Sequence, residues 1–461
     1  MPATGGADCP KVCTFVPKAT KSREVAFDVT LAVAREGAYA NLALPAAFGG
    51  VELSERDRAF VTELVYGSLR AQGELDSVIE EATRRAPSSL DPEVTVLLRL
   101  GVYQLLRMRV ETHAAVDESV RLAKARGLHR VAGLVNAALR AVSAHPAEYW
   151  DRVIGQSTTS LHSHPSWIAA EFDRALAECG GEGELAEALQ AQNDPPLVTL
   201  CHLPGLSERP RESATRLSPV GSILSGGDPR ALPGVTGHAV RVQDEGSQLA
   251  ALLLTRVTPL GETERVWDMC AGPGGKTALL GAESARVGAT VLASEISAHR
   301  ATLVEDSTSA VATRFPGSVQ VEIVDSSVPR EERFDRILLD APCSGLGALR
   351  RRPEARWVKT RESIPELTTL QESLLRTGLD CLSPGGVLAY VTCSPVVDET
   401  TSVVSRVVGE DGPFRTLDTP AVLEGIVGAP ISGHRRGSAV QLWTHRHGTD
   451  AMFIQLIERV A

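Results

Sequence analysis

The stretch ERVWDMCAGPGGKT, residues 264–277, decides the fold class of the C-terminal half of this 461-residue chain. Its first seven residues have the length and apolar content of a buried strand, and a glycine-rich turn then leads into helix-forming residues. Such a turn brings backbone N–H groups close to a bound ligand. The stretch therefore predicts a ligand-binding turn at the edge of an α/β sheet.

Two nucleotide-binding patterns compete for this turn, and neither is complete. A P-loop requires a glycine, four residues and then Gly-Lys-Ser/Thr. Gly275, Lys276 and Thr277 meet the second half of that pattern, but Cys270 stands where the first glycine is required. The dinucleotide pattern G-x-G-x-x-G is also absent from the turn. A nucleoside triphosphatase is therefore disfavoured, although it stays an alternative.

Strand-like and helix-like runs alternate on both sides of the turn, across residues 242–461. This alternation predicts a doubly wound, mostly parallel sheet. The strand-like runs are 264–270, 290–295, 319–325, 334–340, 386–393, 440–445 and 452–458.

Three acidic residues end successive predicted strands: Glu295, Asp325 and Asp340. The carboxyl ends of parallel strands form the edge at which open α/β sheets bind ligands. Each acid alone could be a helix N-cap or a turn residue. Together with the glycine turn, the three favour a ligand site and fit S-adenosylmethionine better than a nucleoside triphosphate.

Two cysteines follow neighbouring predicted strands: Cys343 in DAPCSGLG and Cys393 in VTCSP. A buried cysteine is usually an inert apolar side chain. Two thiols beside a methyl-donor site indicate covalent catalysis instead. A thiolate that adds to carbon 6 of cytosine makes carbon 5 nucleophilic enough to accept a methyl group, provided that the pKa of the thiol is lowered.

The motifs DMCAGPGGKT, DAPCSGLG and TCSP together resemble the RNA cytosine-5 methyltransferases of the Nol–Nop–Sun family. The resemblance covers about 242–461 and implies a Rossmann-like, S-adenosylmethionine-dependent methyltransferase domain. It implies that Cys393 is the nucleophile and that Cys343 assists product release. It also implies that Asp340 lies between the cofactor and the target base.

The same resemblance implies a set of cofactor-binding residues. These are Cys270, Ala271, Gly272, Pro273, Gly274, Gly275, Lys276, Glu295, Arg300, Asp325 and Asp340. The sequence departs from the family pattern at two of them. Gly272 stands where the family usually has alanine, and Glu295 stands where aspartate is commoner.

The N-terminal part of the sequence predicts a flexible tail over 1–22 and an all-α bundle over 23–148. Helix signals include an end near Gly37, a start at Ser54 and an N-cap at Asp91 followed by proline. The order of these helices resembles a NusB-like RNA-binding domain, although amphipathic helices that only pack together remain an alternative. Residues 149–241 predict a small α+β connecting region for RNA recognition.

A NusB-like domain joined to a cytosine-5 catalytic domain resembles the bacterial small-subunit ribosomal RNA methyltransferases of type B. The resemblance implies ribosomal RNA as the partner. Two alternatives stay open: a transfer-RNA methyltransferase with the same chemistry, and a non-catalytic RNA-binding or assembly factor of the same fold. Intact Cys343 and Cys393 speak against the second.

The net charge of −10 argues weakly against nucleic-acid binding, but binding depends on local patches. The run RRRPEARWVKTR, residues 350–361, holds six basic residues against one acid. The run could be an ordinary solvated face. Its position just after Cys343 favours contacts with RNA phosphates. The predicted RNA-binding residues are Arg350, Arg351, Arg352, Arg356 and Lys359.

The remaining features predict a reduced, cytoplasmic monomer without a membrane segment. No run approaches the roughly 20 apolar residues of a spanning helix, and the N-terminus has no signal-peptide core. Eight cysteines are too few for a disulfide scaffold. Cys9 and Cys13 have no second pair at zinc-site spacing, so no metal site is predicted.

Overall fold

The computed structural model describes residues 20–409 and 412–460, which fall into two compact units that divide between Ser163 and His164. Residues 1–19 lie outside the described residues, and with them Cys9, Cys13 and most of the predicted tail. The first helix already begins at Lys21, inside the range predicted to be a tail.

The N-terminal unit is a bundle of helices around one apolar core, as the sequence predicted. Its helices are α1 Lys21–Glu36, α2 Ala40–Gly49, α3 Glu55–Arg70, α4 Gln72–Thr83, α5 Pro92–Leu106, α6 Thr112–Ala125, α7 Ala132–Ala144, α8 Ala147–Ile154 and α9 Thr158–His162.

Three of the predicted helix boundaries in this unit are confirmed. Gly37 ends α1 in the left-handed region at φ 65°, which glycine adopts without strain. The Ser54 hydroxyl accepts a hydrogen bond from the Asp57 N–H at 3.1 Å and so caps α3. Asp91 holds the N-cap position of α5, but its side chain makes no capping hydrogen bond.

The helical unit extends beyond the predicted boundary at residue 148. Helices α8 and α9 pack against α4, and the Ser163 hydroxyl accepts a hydrogen bond from the Gly73 N–H at 2.8 Å. Residues 149–163 were predicted to belong to the connecting region. They belong to the bundle because Trp150 and Ile154 complete its apolar core.

Gly67 of α3 lies directly against Tyr103 of α5, and we expect Gly67→Ala to destabilise the protein. A β-carbon there would lie 1.9 Å from the Tyr103 hydroxyl oxygen, which donates to Glu63 at 2.5 Å. Overpacking of this kind costs about 1–3 kcal/mol. Urea unfolding of the full chain, followed at its first transition, measures the loss.

The matched control for this change is Gly133→Ala. Gly133 lies in α7, and a β-carbon there would have no neighbour within 4 Å. Alanine is expected to leave the stability unchanged or raise it by up to about 1 kcal/mol. Equal destabilisation by both variants would contradict the contact with Tyr103.

The C-terminal unit combines helices with two sheets. Its helices are α10 Ser166–Ala177, α11 Leu185–Ala191, α12 Pro233–Thr236, α13 Glu245–Arg256, α14 Gly275–Ala285, α15 Ala298–Arg314, α16 Ala355–Val358, α17 Ile364–Asp380, α18 Thr401–Val408, α19 Thr419–Val427 and α20 Thr444–His447. Its strands are β1 Val198–His202, β2 Gly221–Leu224, β3 Val240–Val242, β4 Arg265–Asp268, β5 Thr290–Glu295, β6 Val319–Ile323, β7 Phe334–Asp340, β8 Leu382–Thr392, β9 Phe414–Thr416, β10 Arg435–Arg436, β11 Ala439–Gln441 and β12 Phe453–Arg459.

The large sheet has the order β10-β11-β12-β8-β7-β4-β5-β6, with β9 also paired to β12. Strands β8, β7, β4, β5 and β6 are parallel, as predicted. Strands β9 to β12 are antiparallel to their neighbours, so the prediction of a mostly parallel sheet holds for only part of it. The strand order reverses between β4 and β7, which is the place where such sheets bind ligands.

The segment that follows the helical bundle, residues 164–241, is part of the C-terminal unit. Strands β1, β2 and β3 form a small antiparallel sheet, which agrees with the predicted α+β character. Ile168 and Phe172 of α10 share an apolar cluster with Leu346 and Trp443. This segment therefore supports the loop that follows β7. Within the described residues, no helix has both the length and the apolar character needed to cross a membrane.

Candidate active site

The glycine turn lies between the end of β4 and the start of α14, pressed against β5 and α15. Gly274 caps α14 at φ 99°, a conformation that favours glycine. A β-carbon on Gly274 would lie 2.6 Å from the Ser307 β-carbon. The turn thus fits its wall only with glycine, and it brings the N-terminus of α14 to the point where the strand order reverses. These features fit a cradle for a cofactor.

Glu295, at the end of β5, binds the glycine turn through its carboxylate. Its two carboxylate oxygens accept hydrogen bonds from the N–H groups of Gly272 and Ser297, each at 3.0 Å. Arg300 donates to the Gly272 carbonyl and lies 3.5 Å from the Glu295 carboxylate. A β-carbon on Gly272 would lie 2.4 Å from Glu295 Oε2. The two departures from the family pattern therefore compensate each other, since glycine makes room for the longer glutamate.

Because of this compensation, we expect Gly272→Ala alone to weaken S-adenosylmethionine binding by about tenfold or more, equivalent to about 1.4 kcal/mol. The alanine would force Glu295 away from both of its hydrogen bonds. Gly272→Ala combined with Glu295→Asp restores the usual family pair and is expected to recover most of the affinity. Isothermal titration with S-adenosylmethionine measures both. A double variant no better than Gly272→Ala would disprove the compensation.

Lys276, in the first turn of α14, forms an ion pair with Asp340 at the end of β7. The distance from Nζ to Oδ2 is 2.6 Å. Burial lowers the pKa of Lys276, but the charge and hydrogen bond of Asp340 outweigh it, and the pKa lies above its ordinary value. Beside the pair, burial raises the pKa of Asp268 to about 7, although Thr277 donates to it at 2.8 Å. A fixed positive charge therefore stands between the glycine turn and β7.

Asp325 lies two residues beyond the end of β6, so it does not end that strand as predicted. Its side chain is exposed and accepts hydrogen bonds from the N–H and hydroxyl groups of Ser327, at 2.9 and 2.7 Å. These bonds lower the pKa of Asp325. Its assignment to the cofactor stays a prediction.

The two thiols predicted to act together are adjacent. Cys343 follows β7 and Cys393 follows β8, and their sulfur atoms are 3.4 Å apart. The hydrogen bond from Cys343 lowers the pKa of Cys393, against the effect of burial, and the charge of Lys276 lowers it further. The same hydrogen bond and burial raise the pKa of Cys343. Of the two thiols, the one with the lowered pKa is therefore Cys393, the predicted nucleophile.

A buried carboxylate that the sequence analysis missed lies behind both thiols. Glu399 is fully buried and accepts hydrogen bonds from the Ser344 N–H at 2.7 Å and the Ser394 hydroxyl at 2.7 Å. These serines directly follow the two cysteines. The only sequence signal was an acid six residues after Cys393, which reads as an ordinary surface residue.

The prediction that Arg350 and Arg351 bind RNA phosphates is not supported by their positions. Arg350 is buried and donates to Asp450 at 2.8 Å and to Asp244 at 3.0 Å. Arg351 donates to the same two acids, at 2.9 and 2.6 Å. Because the carboxylates already neutralise both guanidinium groups, this part of the run fixes the loop after Cys343 to α13 and to the segment before β12.

The prediction for Arg356 is also wrong, because its guanidinium is fully buried. It donates to the Asn193 side chain at 2.7 Å and to the Gln192 carbonyl at 3.2 Å. Arg352 is exposed and Lys359 is half-buried. Of the five predicted RNA-binding residues, these two keep an outward position.

Comparison with protein families agrees with the division of the chain into an N-terminal helical unit and a C-terminal unit that carries both thiols. A family model described as 16S rRNA methyltransferase RsmB/F matches residues 256–458. A model of the NusB family matches residues 20–144. The helical unit is therefore of the NusB type, and the unit that carries both thiols is a methyltransferase domain.

Individual relatives match nearly the whole chain. A putative methyltransferase of Mycobacterium tuberculosis is 41% identical over 453 residues, covering 95% of this chain and 96% of its own. The ribosomal RNA small subunit methyltransferase B of Pseudomonas putida is 31% identical, covering 91% and 94%. The crystal structure of PH0851 shares the fold, with a TM-score of 0.74 at 20% identity over 96% of this chain and all of that one. The chain therefore belongs to the RsmB/F family of RNA methyltransferases, whose methyl donor is S-adenosylmethionine.

Proposed function

We propose that this protein methylates carbon 5 of a cytosine in small-subunit ribosomal RNA through a covalent bond between Cys393 and carbon 6 of the base. The observation that carries the proposal is the pair of thiols 3.4 Å apart, at the ends of adjacent strands and beside the glycine turn. A single thiol would suffice for attack. A second thiol in contact with the first supports a separate role in releasing the product.

The residues of the site suit each step of this reaction. The hydrogen bond from Cys343, with a smaller contribution from the charge of Lys276, favours the thiolate of Cys393 against burial and the charge of Asp340. The Cys393 sulfur attacks carbon 6 of cytosine, and the electron pair of the carbon 5–carbon 6 double bond moves to carbon 5. Bound S-adenosylmethionine would supply an electrophilic methyl group to carbon 5, and its methyl–sulfur bond would break to leave S-adenosylhomocysteine. A general base then removes the proton from carbon 5. The bond between carbon 6 and the Cys393 sulfur breaks, and Cys393 regains its thiolate.

Asp340 is placed to orient the target base. Its carboxylate ends β7, three residues before Cys343, and is held by Lys276. We assign it a hydrogen bond to the amino edge of cytosine, which a carboxylate accepts well. The base must leave its stack or come from a loop to reach this position. Arg352 and Lys359 are the proposed contacts to the neighbouring phosphates.

The choice of ribosomal RNA is supported by the named relative in Pseudomonas putida and by the NusB-type unit. Bisulfite sequencing of RNA from a strain that lacks the gene tests it. One cytosine of the small-subunit RNA is expected to lose protection and to regain it when the intact gene is restored. Loss of protection in a transfer RNA, with ribosomal RNA unchanged, would move the substrate to that class. No change in either would reject the proposed activity.

A further inference from the structure

We propose that Glu399 is a positioning residue that assigns the two thiols their separate roles. In this inference, which rests on the proposed use of both thiols, Glu399 holds the two cysteine loops in register. Its negative charge makes Cys343 the proton donor and leaves Cys393 as the nucleophile.

The hydrogen bonds of Glu399 connect the two loops through one carboxylate. Ser344 binds it with both its N–H and its hydroxyl group, and the Ser394 hydroxyl binds it at 2.7 Å. The two serine hydroxyls are also 3.1 Å apart. Because each serine directly follows a cysteine, a shift of the carboxylate would move both sulfur atoms. The 3.4 Å separation of the sulfurs therefore depends on Glu399.

The carboxylate is itself held rigidly from the opposite side. The Gln371 side chain of α17 donates to it at 3.3 Å, and the Tyr390 hydroxyl donates to the Glu399 backbone carbonyl at 2.8 Å. The donors to the carboxylate are uncharged backbone, hydroxyl and amide groups. Its charge is therefore solvated by dipoles, and in a buried site its field extends to neighbouring groups.

The charged groups around the thiols are distributed unequally. Glu399 contributes to the raised pKa of Cys343, after the hydrogen bond to Cys393 and burial. On the side of Cys393, Lys276 lowers the pKa, while Asp340 and Asp450 oppose it. The nearby phenol of Tyr390 has a pKa well above its ordinary value because it is buried, so it stays neutral. The hydrogen bond that Cys343 donates and the negative charge of Glu399 behind Cys343 therefore both favour the thiolate on Cys393.

The test is the selectivity of alkylation in Glu399→Gln. Glutamine keeps the size of the side chain and can still bond to both serines, but it removes the charge. Full-length protein without RNA is treated with iodoacetamide over a range of pH, and the labelled peptides are quantified by mass spectrometry. The ratio of Cys393 to Cys343 labelling is expected to fall about tenfold, which corresponds to about one pKa unit between the thiols.

The matched control is Asp398→Asn, which removes a negative charge from the adjacent residue. The Asp398 side chain is partly exposed and pairs with Arg174 at 3.3 Å. Its labelling ratio is expected to equal that of the unmodified protein. Glu399→Asp keeps the charge and is expected to slow methyl transfer, because the shorter side chain loosens the two cysteine loops. An unchanged ratio in Glu399→Gln would overturn the inference.

Ser344→Ala is the second test of the positioning role, and it is used if Glu399→Gln does not fold. Circular dichroism and S-adenosylmethionine binding show whether Glu399→Gln is folded. Ser344→Ala removes one hydroxyl from the Cys343 loop and leaves the charge in place. The rate of methyl transfer is expected to fall about tenfold with unchanged cofactor affinity. An unchanged rate would overturn the positioning role. Alkylation requires no RNA, so this test is independent of the methylation assay. If the ratio of Cys393 to Cys343 labelling falls in Glu399→Gln but the unmodified protein methylates no cytosine, the proposed function is rejected. The separate roles of the two thiols would then still stand.

Discussion

Cys393→Ala is expected to lose methyl transfer completely while it still binds S-adenosylmethionine. The proposed cofactor cradle is the turn after β4 together with Glu295 of β5, whereas Cys393 follows β8. Removing the sulfur therefore removes the attack on carbon 6 without disturbing the cradle. Isothermal titration measures cofactor binding, and transfer of a radiolabelled methyl group to small-subunit ribosomal RNA measures activity.

Cys381→Ala is the matched control for this experiment. Cys381 is a buried cysteine of the same domain, at the end of α17 and away from the carboxyl ends of the parallel strands. It is expected to retain methyl transfer. Full activity in Cys393→Ala would eliminate the proposed covalent mechanism, whatever the behaviour of the control.

Cys343→Ala is expected to fail at a later step and to accumulate a covalent protein–RNA complex. Cys393 loses the hydrogen bond from Cys343 but keeps its position and the charge of Lys276, so we expect it still to attack and the cytosine still to accept the methyl group. Release of the thiolate becomes slow because the neighbouring thiol, 3.4 Å away, is missing. A denaturing gel with labelled RNA and S-adenosylmethionine should show a slowly migrating complex.

The same gel distinguishes the two assignments of the thiols. Cys393→Ser is expected to form no complex, because a serine hydroxyl is too weakly acidic to act as the nucleophile. A complex in Cys393→Ser and none in Cys343→Ala would reverse the roles and make Cys343 the attacking group.

The sequence was informative where function depends on local pattern. The glycine turn, the strand ends and the two cysteine motifs are each contiguous, and parallel strands necessarily bring their carboxyl ends to one edge. Cys343 and Cys393 could therefore be expected to meet. Gly272 and Glu295 were visible as separate departures, but their compensation was not, since it depends on the distance between one β-carbon and one carboxylate oxygen.

The basic run shows where reasoning from sequence fails. Six positive charges near a catalytic cysteine resemble an RNA-binding surface, but charge density does not reveal whether partners lie elsewhere in the chain. Arg350 forms ion pairs with Asp244 and Asp450, which lie about a hundred residues before and after it in the sequence. Glu399 was missed for the converse reason, because its uncharged partners carry no signal in the sequence.

The pairing of β8 with β12 determines how much of the chain must be synthesised before the site can form. Thr392, directly before Cys393, lies opposite Phe453. The Cys393 carbonyl accepts a hydrogen bond from the Gly347 N–H, and the Gly347 carbonyl accepts one from the Ala451 N–H. Translation delivers these partners about sixty residues apart. A nascent chain that has emerged only as far as α18 contains the glycine turn, both cysteines and Glu399, but it lacks β12, the strand that pairs with β8 up to Thr392. Because β12 covers one edge of β8 up to the residue before Cys393, we expect a chain truncated before β12 to lack methyl transfer.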